Sequence, residues 1–199
     1  MVRRPLTELN VILDRFKSAL QRAEDEGLHL PNGATLATVG TDGLPSARVV
    51  LLKGVDERGF VFYTNKESRK ARELRANPKA SLCFWWPSLE QQVRVEGKVT
   101  DVEDADADAY WETRPRGSQI GAWASRQSEP LPSHDALVGE FERLEREYGG
   151  RIVPRPPFWS GFCLEPERIE FWTGREDRLH HRELYTRTER GWQKTLLSP

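Results

Sequence analysis

Between residues 48 and 70 the chain sets Arg48 and Lys53 at the two ends of Arg-Val-Val-Leu-Leu-Lys, then Arg69 and Lys70 directly after Ser68. Cations bracketing apolar runs in this way read as an anion site. Ala47 to Leu52 is rich in β-branched and aliphatic residues and reads as a mostly buried strand. Gly54 to Gly59, with Asp56 and Glu57, supplies turn chemistry, and Phe60 to Thr64 is the returning strand of a hairpin. From Ser68 to Ala76 the composition is helical, with Asn65 or Ser68 as the cap and Asn77-Pro78 as the stop. Arg69 and Lys70 then stand where the helix dipole and its free N–H groups already favour negative charge. A phosphate held by those N–H groups and by both cations would satisfy all of these groups at once. A solvated basic turn is the commoner reading of such a cluster taken alone.

Two further constellations carry chemistry. In Arg178-Leu-His180-His181-Arg182, strand periodicity puts Arg178, His180 and Arg182 on one face and Leu179 on the other. Two arginines there could bind an anion, and His180 could donate to a phenolate or phosphate oxygen near neutral pH; a polar edge strand is the alternative. Tyr110 and Arg114 share a helix face, Pro115 is expected to end that helix, and a Gly117-Ser118 turn would expose hydroxyl and backbone donors as a second phosphate cradle. A core tyrosine with an arginine stacked on it is the competing reading. Gln92, Gln127 and Ser128 add uncharged donors and acceptors suited to a heterocycle edge. No Gly-x-Gly-x-x-Gly and no Gly-Lys-Ser/Thr loop is present, so neither a Rossmann site nor a P-loop accounts for the phosphate signal. Four histidines, two of them the neighbours His180 and His181, make a poor metal set, and no metal centre is expected.

These groups need a scaffold. Leu9, Leu13, Phe16 and Leu20 form one stripe of an N-terminal helix expected over residues 6–26 and ending near Gly27. Strands follow at Thr35–Val39, Ala47–Leu52, Phe60–Thr64, Ala80–Trp85 and Gln91–Val102, with a Thr41-Asp-Gly43 turn between the first two. Helices are expected at about Val102–Thr113 and at His134–Tyr148, the latter capped by Ser133 and stopped by Gly149, and Phe162–Trp172 and Leu179–Tyr185 read as closing strands. The run of hairpin-linked strands suggests a small barrel in one domain of 199 residues, mainly β with flanking helices. Thirty Lys and Arg against 31 Asp and Glu leave no global field to draw the chain to nucleic acid or an anionic membrane. With no bilayer-length apolar stretch and no apolar signal core, a cytoplasmic protein is expected. Cys83 and Cys163 read as reduced core residues, and the seven tryptophans as stacking platforms, subunit contacts or plain core.

The order and spacing of Arg-Val-Val-Leu-Leu-Lys, Phe-Tyr-Thr-Asn, Ser-Arg-Lys-Ala, Arg-Pro-Arg-x-Ser-Gln-Ile-Gly-Ala-Trp, Gln-Ser, Ile-Glu-Phe-Trp and Arg-Leu-His-x-Arg closely resemble the pyridoxine (pyridoxamine) 5′-phosphate oxidase family from about Leu36 to Pro199. The resemblance implies an FMN-binding split β-barrel homodimer with FMN at the subunit interface. Its implied reaction is oxidation of pyridoxine or pyridoxamine 5′-phosphate to pyridoxal 5′-phosphate with O₂, releasing H₂O₂. By position, Arg48, Lys53, Ser68, Arg69 and Lys70 resemble the family's FMN phosphate and ring contacts. Tyr63, Thr64, Gln92, Gln127, Ser128, Trp172 and Arg182 would complete that site, and the backbone at Val50 and Leu51 would lie along the flavin. Lys53, Tyr110, Arg114 and Ser118 resemble a substrate phosphate clamp, with Arg178 and His180 flanking the pyridine ring.

The implied mechanism is mostly positioning: substrate C4′ stacks over flavin N5 and hydride passes directly. Arg178 would stabilise charge near the reacting carbon, and His180 would hold the ring oxygen. Two features depart from the family pattern. The opening Met-Val-Arg-Arg-Pro-Leu aligns with no Arg-x-x-Tyr lid segment, and His181 stands where an acidic residue is expected, which would shift substrate preference or pH optimum. Two rivals remain at this level: an FMN oxidase of a phenazine-type precursor, which needs no phosphate clamp, and a non-catalytic flavin or pyridoxal-phosphate carrier.

Overall fold

The computed structural model describes residues 8–199. Helix α1 (Glu8–Asp25) opens the fold and buries Ile12, Leu13, Phe16, Ala19 and Ala23 along one face; residues 6 and 7 of the expected helix lie outside the described residues. Gly27, at φ 72°, ends it, and the Leu28 N–H reaches back to the Ala23 carbonyl. Eight antiparallel strands then follow: β1 (Gly33–Val39), β2 (Pro45–Asp56), β3 (Gly59–Asn65), β4 (Lys79–Trp86), β5 (Gln91–Asp101), β6 (Trp159–Thr173), β7 (His181–Thr188) and β8 (Gly191–Leu197). Their order is β3-β2-β1-β4-β5-β6-β7-β8, and β3 also pairs with β6. Strands β1 to β6 therefore close on themselves, and β7 and β8 extend the sheet beyond the closure.

Inward alternation fills the barrel. Phe60, Phe84, Trp86, Leu36, Val95 and Ile169 are essentially inaccessible, and Phe16 of α1 packs edge-on against Phe60 and Phe84 at centroid distances of 5.0 and 4.9 Å. Closure needs near contact of backbones: a Cβ at Gly59, whose φ is 139°, would stand 2.1 Å from the Leu164 carbonyl oxygen across the β3–β6 seam.

Helices α2 (Arg69–Ala76), α3 (Asp104–Thr113), α4 (Arg116–Ala124) and α5 (His134–Tyr148) flank the barrel. Ser133 accepts from the Ala136 N–H, and Gly149 ends α5 in the left-handed region, as their types dictate. A second apolar cluster of Trp111, Ile120, Leu144, Val153 and Trp159 joins α3, α4 and α5 to the start of β6. The space between the two clusters is where the site forms.

Several expectations need correction. Pro115 does not leave a Gly-Ser turn behind it: it is the N-cap of α4, so Ser118 is helical. The hairpin expected to turn over Gly54–Gly59 continues as strand to Asp56, with a register shift between Leu52 and Gly54 that makes Lys53 the bulged residue. β7 starts at His181, not Leu179; Glu176–Arg178 form a 3-10 turn in which Asp177 and Arg178 have φ of 53° and 60°. Arg178, His180 and Arg182 thus do not share a strand face. Strand β8 was not foreseen at all.

Candidate functional site

Ten of the sequence-derived candidates line one cavity of about 320 Å³: Val50, Leu51, Lys53, Tyr63, Thr64, Lys70, Tyr110, Arg114, Ser118 and Gln127. Each is put there by a local device. Alternation along β2 turns Lys53 out beside Val49 and Leu51, next to the bulge that follows Leu52, and its ammonium lies 5.8 Å from the Tyr110 ring centroid. Tyr63 of β3 stacks on Tyr110 of α3 at 4.2 Å and on Trp159 at 5.3 Å. Its ring has room because Gly161 is its partner across the sheet: a Cβ there would stand 2.7 Å from the ring.

Arg114 follows α3 as its C-cap and packs its guanidinium against the edge-to-face pair Trp111 and Trp159, 5.0 and 4.7 Å from their ring centroids. Its Nη1 is buried with no hydrogen-bond partner among the described residues, and burial pulls its pKa down. Lys70, on the first turn of α2, is buried and donates to Gln127 Oε1 at 2.9 Å, Thr64 Oγ1 at 3.1 Å and Ser68 Oγ at 3.3 Å. Burial, reinforced by the Arg48 charge and opposed by Glu73, lowers the Lys70 ammonium to about 8. Among the described residues neither Lys53, Lys70 nor Arg114 has a carboxylate within ion-pair distance, and no Asp or Glu lines the cavity. Lys70 and Arg114 are desolvated cations, costly without counter-ions, and with the exposed Lys53 beside them an anion with several acceptor oxygens is the group that relieves them.

The remaining candidates fall into three other places. Arg48 alternates inward with Val50 and Leu52, where it donates to Ser46 and lies 3.1 Å from Glu73; Arg69 donates from Nε to Glu73 at 2.7 Å. Ser68 is the N-cap of α2 but makes no side-chain cap bond, while Asn65 accepts from the Glu67 N–H. The second place is on β5, β6 and β7, where Gln92, Trp172 and Arg182 are consecutive register partners and the His180 ring lies 4.6 Å from Trp172. Arg182 is tied to buried Glu170 at 2.7 Å, and His180 Nδ1 accepts from the Arg175 N–H at 3.2 Å, leaving Nε2 to carry the proton of the neutral ring. Arg178 precedes this group in its left-handed turn. Ser128, at φ 74°, faces a separate hollow of about 710 Å³ beside α4 and α5. His181 stands 3.6 Å from Glu183, a buried carboxylate also paired with Arg15 and Lys194.

Sequence reasoning missed Val49, Pro115 and Trp159 as cavity walls and Glu73 as the partner of Arg48 and Arg69. Only Glu73 left a readable signal, its i, i+4 spacing from Arg69.

A closed six-strand antiparallel barrel with a basic, aromatic-walled cavity against its outer face defines the split-barrel class. The comparisons agree: an FMN-binding, pyridoxamine 5′-phosphate oxidase-related protein of Nostoc punctiforme superposes with a TM-score of 0.76 at 22% identity over 94% of this chain and 96% of that one. Within the class, residues 20–147 match the pyridoxamine 5′-phosphate oxidase family model, and residues 159–199 match the model of the pyridoxine 5′-phosphate oxidase C-terminal dimerisation region. The chain belongs to the pyridoxamine 5′-phosphate oxidase family. It is 55% identical to a pyridoxine/pyridoxamine 5′-phosphate oxidase of Myxococcus xanthus over 94% of this chain and 91% of that protein. With the enzyme of the same name from Rubrobacter xylanophilus it shares 56% over 93% and 85%. PhzG from Burkholderia lata, solved with tetrahydrophenazine-1-carboxylic acid, has a TM-score of 0.89 but 33% identity over 99% of this chain and 95% of that one.

Proposed function

We propose that the protein is an FMN-dependent oxidase that converts pyridoxine 5′-phosphate and pyridoxamine 5′-phosphate to pyridoxal 5′-phosphate. The carrying observation is the cavity without acids, where Lys53, Lys70 and Arg114 converge and no carboxylate neutralises them. The donor chemistry fits a bound flavin phosphate and a second, substrate phosphate. At the flavin, Lys70, Ser68, Arg69 and Arg48 would hold the phosphate end, and Lys53, Tyr63, Thr64, Gln127 and the Val50–Leu51 backbone would hold the remainder. FMN, when bound, supplies the hydride acceptor and passes the electrons to O₂, yielding H₂O₂.

The chain's own groups do the positioning. Arg114, packed against two tryptophans, would present its fork to the substrate phosphate, and Lys53, Tyr110 and Ser118 would complete the clamp. His180, protonated on Nε2, would donate to the phenolic oxygen borne by the pyridine ring, and Arg178 would stabilise charge near the reacting carbon. Gln92, Trp172, Arg182, His180 and Arg178 do not line the cavity of their own chain. We assign them to the partner's site in a homodimer, with FMN between the subunits, an arrangement supported by the dimerisation-region match. Ser128 would join the flavin site from the same interface.

The phosphate clamp disfavours a phenazine-type substrate, and the identity to named phosphate oxidases exceeds that to PhzG. The test is anaerobic addition of pyridoxine 5′-phosphate to the FMN-loaded protein, followed by visible absorbance. Bleaching that air reverses, with H₂O₂ release, is expected. Bound FMN that stays oxidised would overturn the oxidase reading and favour a carrier.

A further inference from the structure

Glu73 is buried in the seam between α2 and the barrel, and four side chains from three elements converge on its carboxylate. Oε1 accepts from Arg69 Nε at 2.7 Å. Oε2 accepts from Thr38 of β1 at 2.5 Å, from Ser46 of β2 at 2.6 Å and from Arg48 Nη2 at 3.1 Å. Burial raises the pKa of such a group, yet bonds from Ser46, Thr38, Arg69 and Arg48 outweigh it and hold the carboxyl at about 2. The group is therefore an anion at any ordinary pH.

Its placement bears on the cofactor. Arg69 is bonded side-on through Nε, so the two Nη groups of its fork are not the ones Glu73 occupies, and its side chain is 58% exposed at the start of α2. Lys70, on the same turn, lies close enough to feel both the Arg48 and Glu73 charges. Three cations and one carboxylate leave two net positive charges, which match a phosphomonoester dianion near neutral pH. Without Glu73 the same three cations would repel one another, Arg69 would lose the carboxylate that holds its Nε, and Arg48 would keep only its neutral acceptors, Thr38, Ser46 and the Leu36 carbonyl.

We propose that Glu73 is a positioning residue for the phosphate end of the flavin site, one buried carboxylate that sets both the orientation of Arg48 and Arg69 and the charge they present. The inference rests on the reading above that the FMN phosphate sits at the start of α2. Glu73 touches neither cofactor nor substrate; it acts through the arginines.

Flavin fluorescence titration of the flavin-free full-length protein tests it, comparing FMN with riboflavin, which lacks the phosphate. Wild type should bind FMN more tightly than riboflavin. Glu73→Gln should weaken FMN roughly tenfold, the loss of about one charge-assisted contact, and leave riboflavin unchanged. Glu73→Asp, which keeps the charge on a shorter arm, should restore part of the preference. A Glu73→Gln protein that melts earlier but keeps the wild-type FMN-to-riboflavin ratio, or binds FMN more tightly, would overturn the proposal. Wild type that fails to prefer FMN would instead remove the phosphate reading on which it depends. Should Glu73→Gln not fold, Ser46→Ala removes one anchor of the carboxylate and should lower FMN preference about threefold, roughly half the free energy; an unchanged preference overturns the proposal.

Discussion

The chemistry of single residues turns on desolvated charge. Lys70, at about 8, is mostly charged at pH 6.5 and mostly neutral at pH 9. A phosphate favours the charged form, so FMN binding at pH 9 should take up nearly one proton, at pH 6.5 almost none, and affinity should fall as pH rises past 8. Titration calorimetry in buffers of different ionisation enthalpy reads this directly, and Lys70→Gln should abolish the uptake. Arg114 makes a sharper substrate test. Its guanidinium packs against two indoles with one Nη unpartnered among the described residues, so Arg114→Lys loses a planar fork rather than merely moving a charge. KM for pyridoxine 5′-phosphate should rise roughly tenfold or more with FMN content unchanged. Arg178→Ala, by contrast, should lower kcat far more than it lowers FMN affinity; equal losses would contradict its assignment to the reacting carbon.

At the scale of elements, stability is concentrated where helices meet the barrel. Phe16 is fully buried against Phe60, Phe84 and Trp86, and Phe16→Ala should cost about 3–5 kcal/mol in denaturant unfolding. Glu73 ties α2 to β1 and β2. Its folded pKa, about 2, lies below its ordinary value of 4.5, so the stability it contributes is complete above pH 4.5 and is lost as pH falls through 2. Glu73→Gln should therefore flatten the acid limb of the stability profile between pH 4.5 and 2. Cys163 is no redox device of this region: burial pushes its thiol up to about 11 and keeps it a packing residue.

At the scale of the molecule, the cavity lined by Lys53, Lys70 and Arg114 stands apart from the group of Gln92, Trp172, His180 and Arg182 on β5 to β7. If Arg114 of one subunit works with His180 of the other, Arg114→Ala and His180→Ala are each inactive as homodimers but complement when mixed. Refolding equal amounts should restore about a quarter of wild-type activity, because half the dimers are mixed and each holds one intact site. No recovery, with mixed dimers present, would mean that both residues serve the same subunit's site.

The sequence by itself determined most of the elements, though neither α4 nor β8, and the kinds of chemistry available. Alternation located six barrel strands, Ser133 and Gly149 bounded α5, and the cation-rich runs marked phosphate chemistry, because these features are local and written in residue type and period. Tertiary structure decided where each side chain faces. A bulge after Leu52 shifted the β2–β3 register, two left-handed residues took Arg178 and His180 off their strand, and Pro115, besides ending α3, capped a further helix that made Ser118 helical. Each depends on a register shift, a positive φ or a cap whose stability comes from distant neighbours, as does the meeting of Arg48, Arg69 and Glu73 across α2 and the barrel. Periodicity names the partners a residue could have; only packing selects among them.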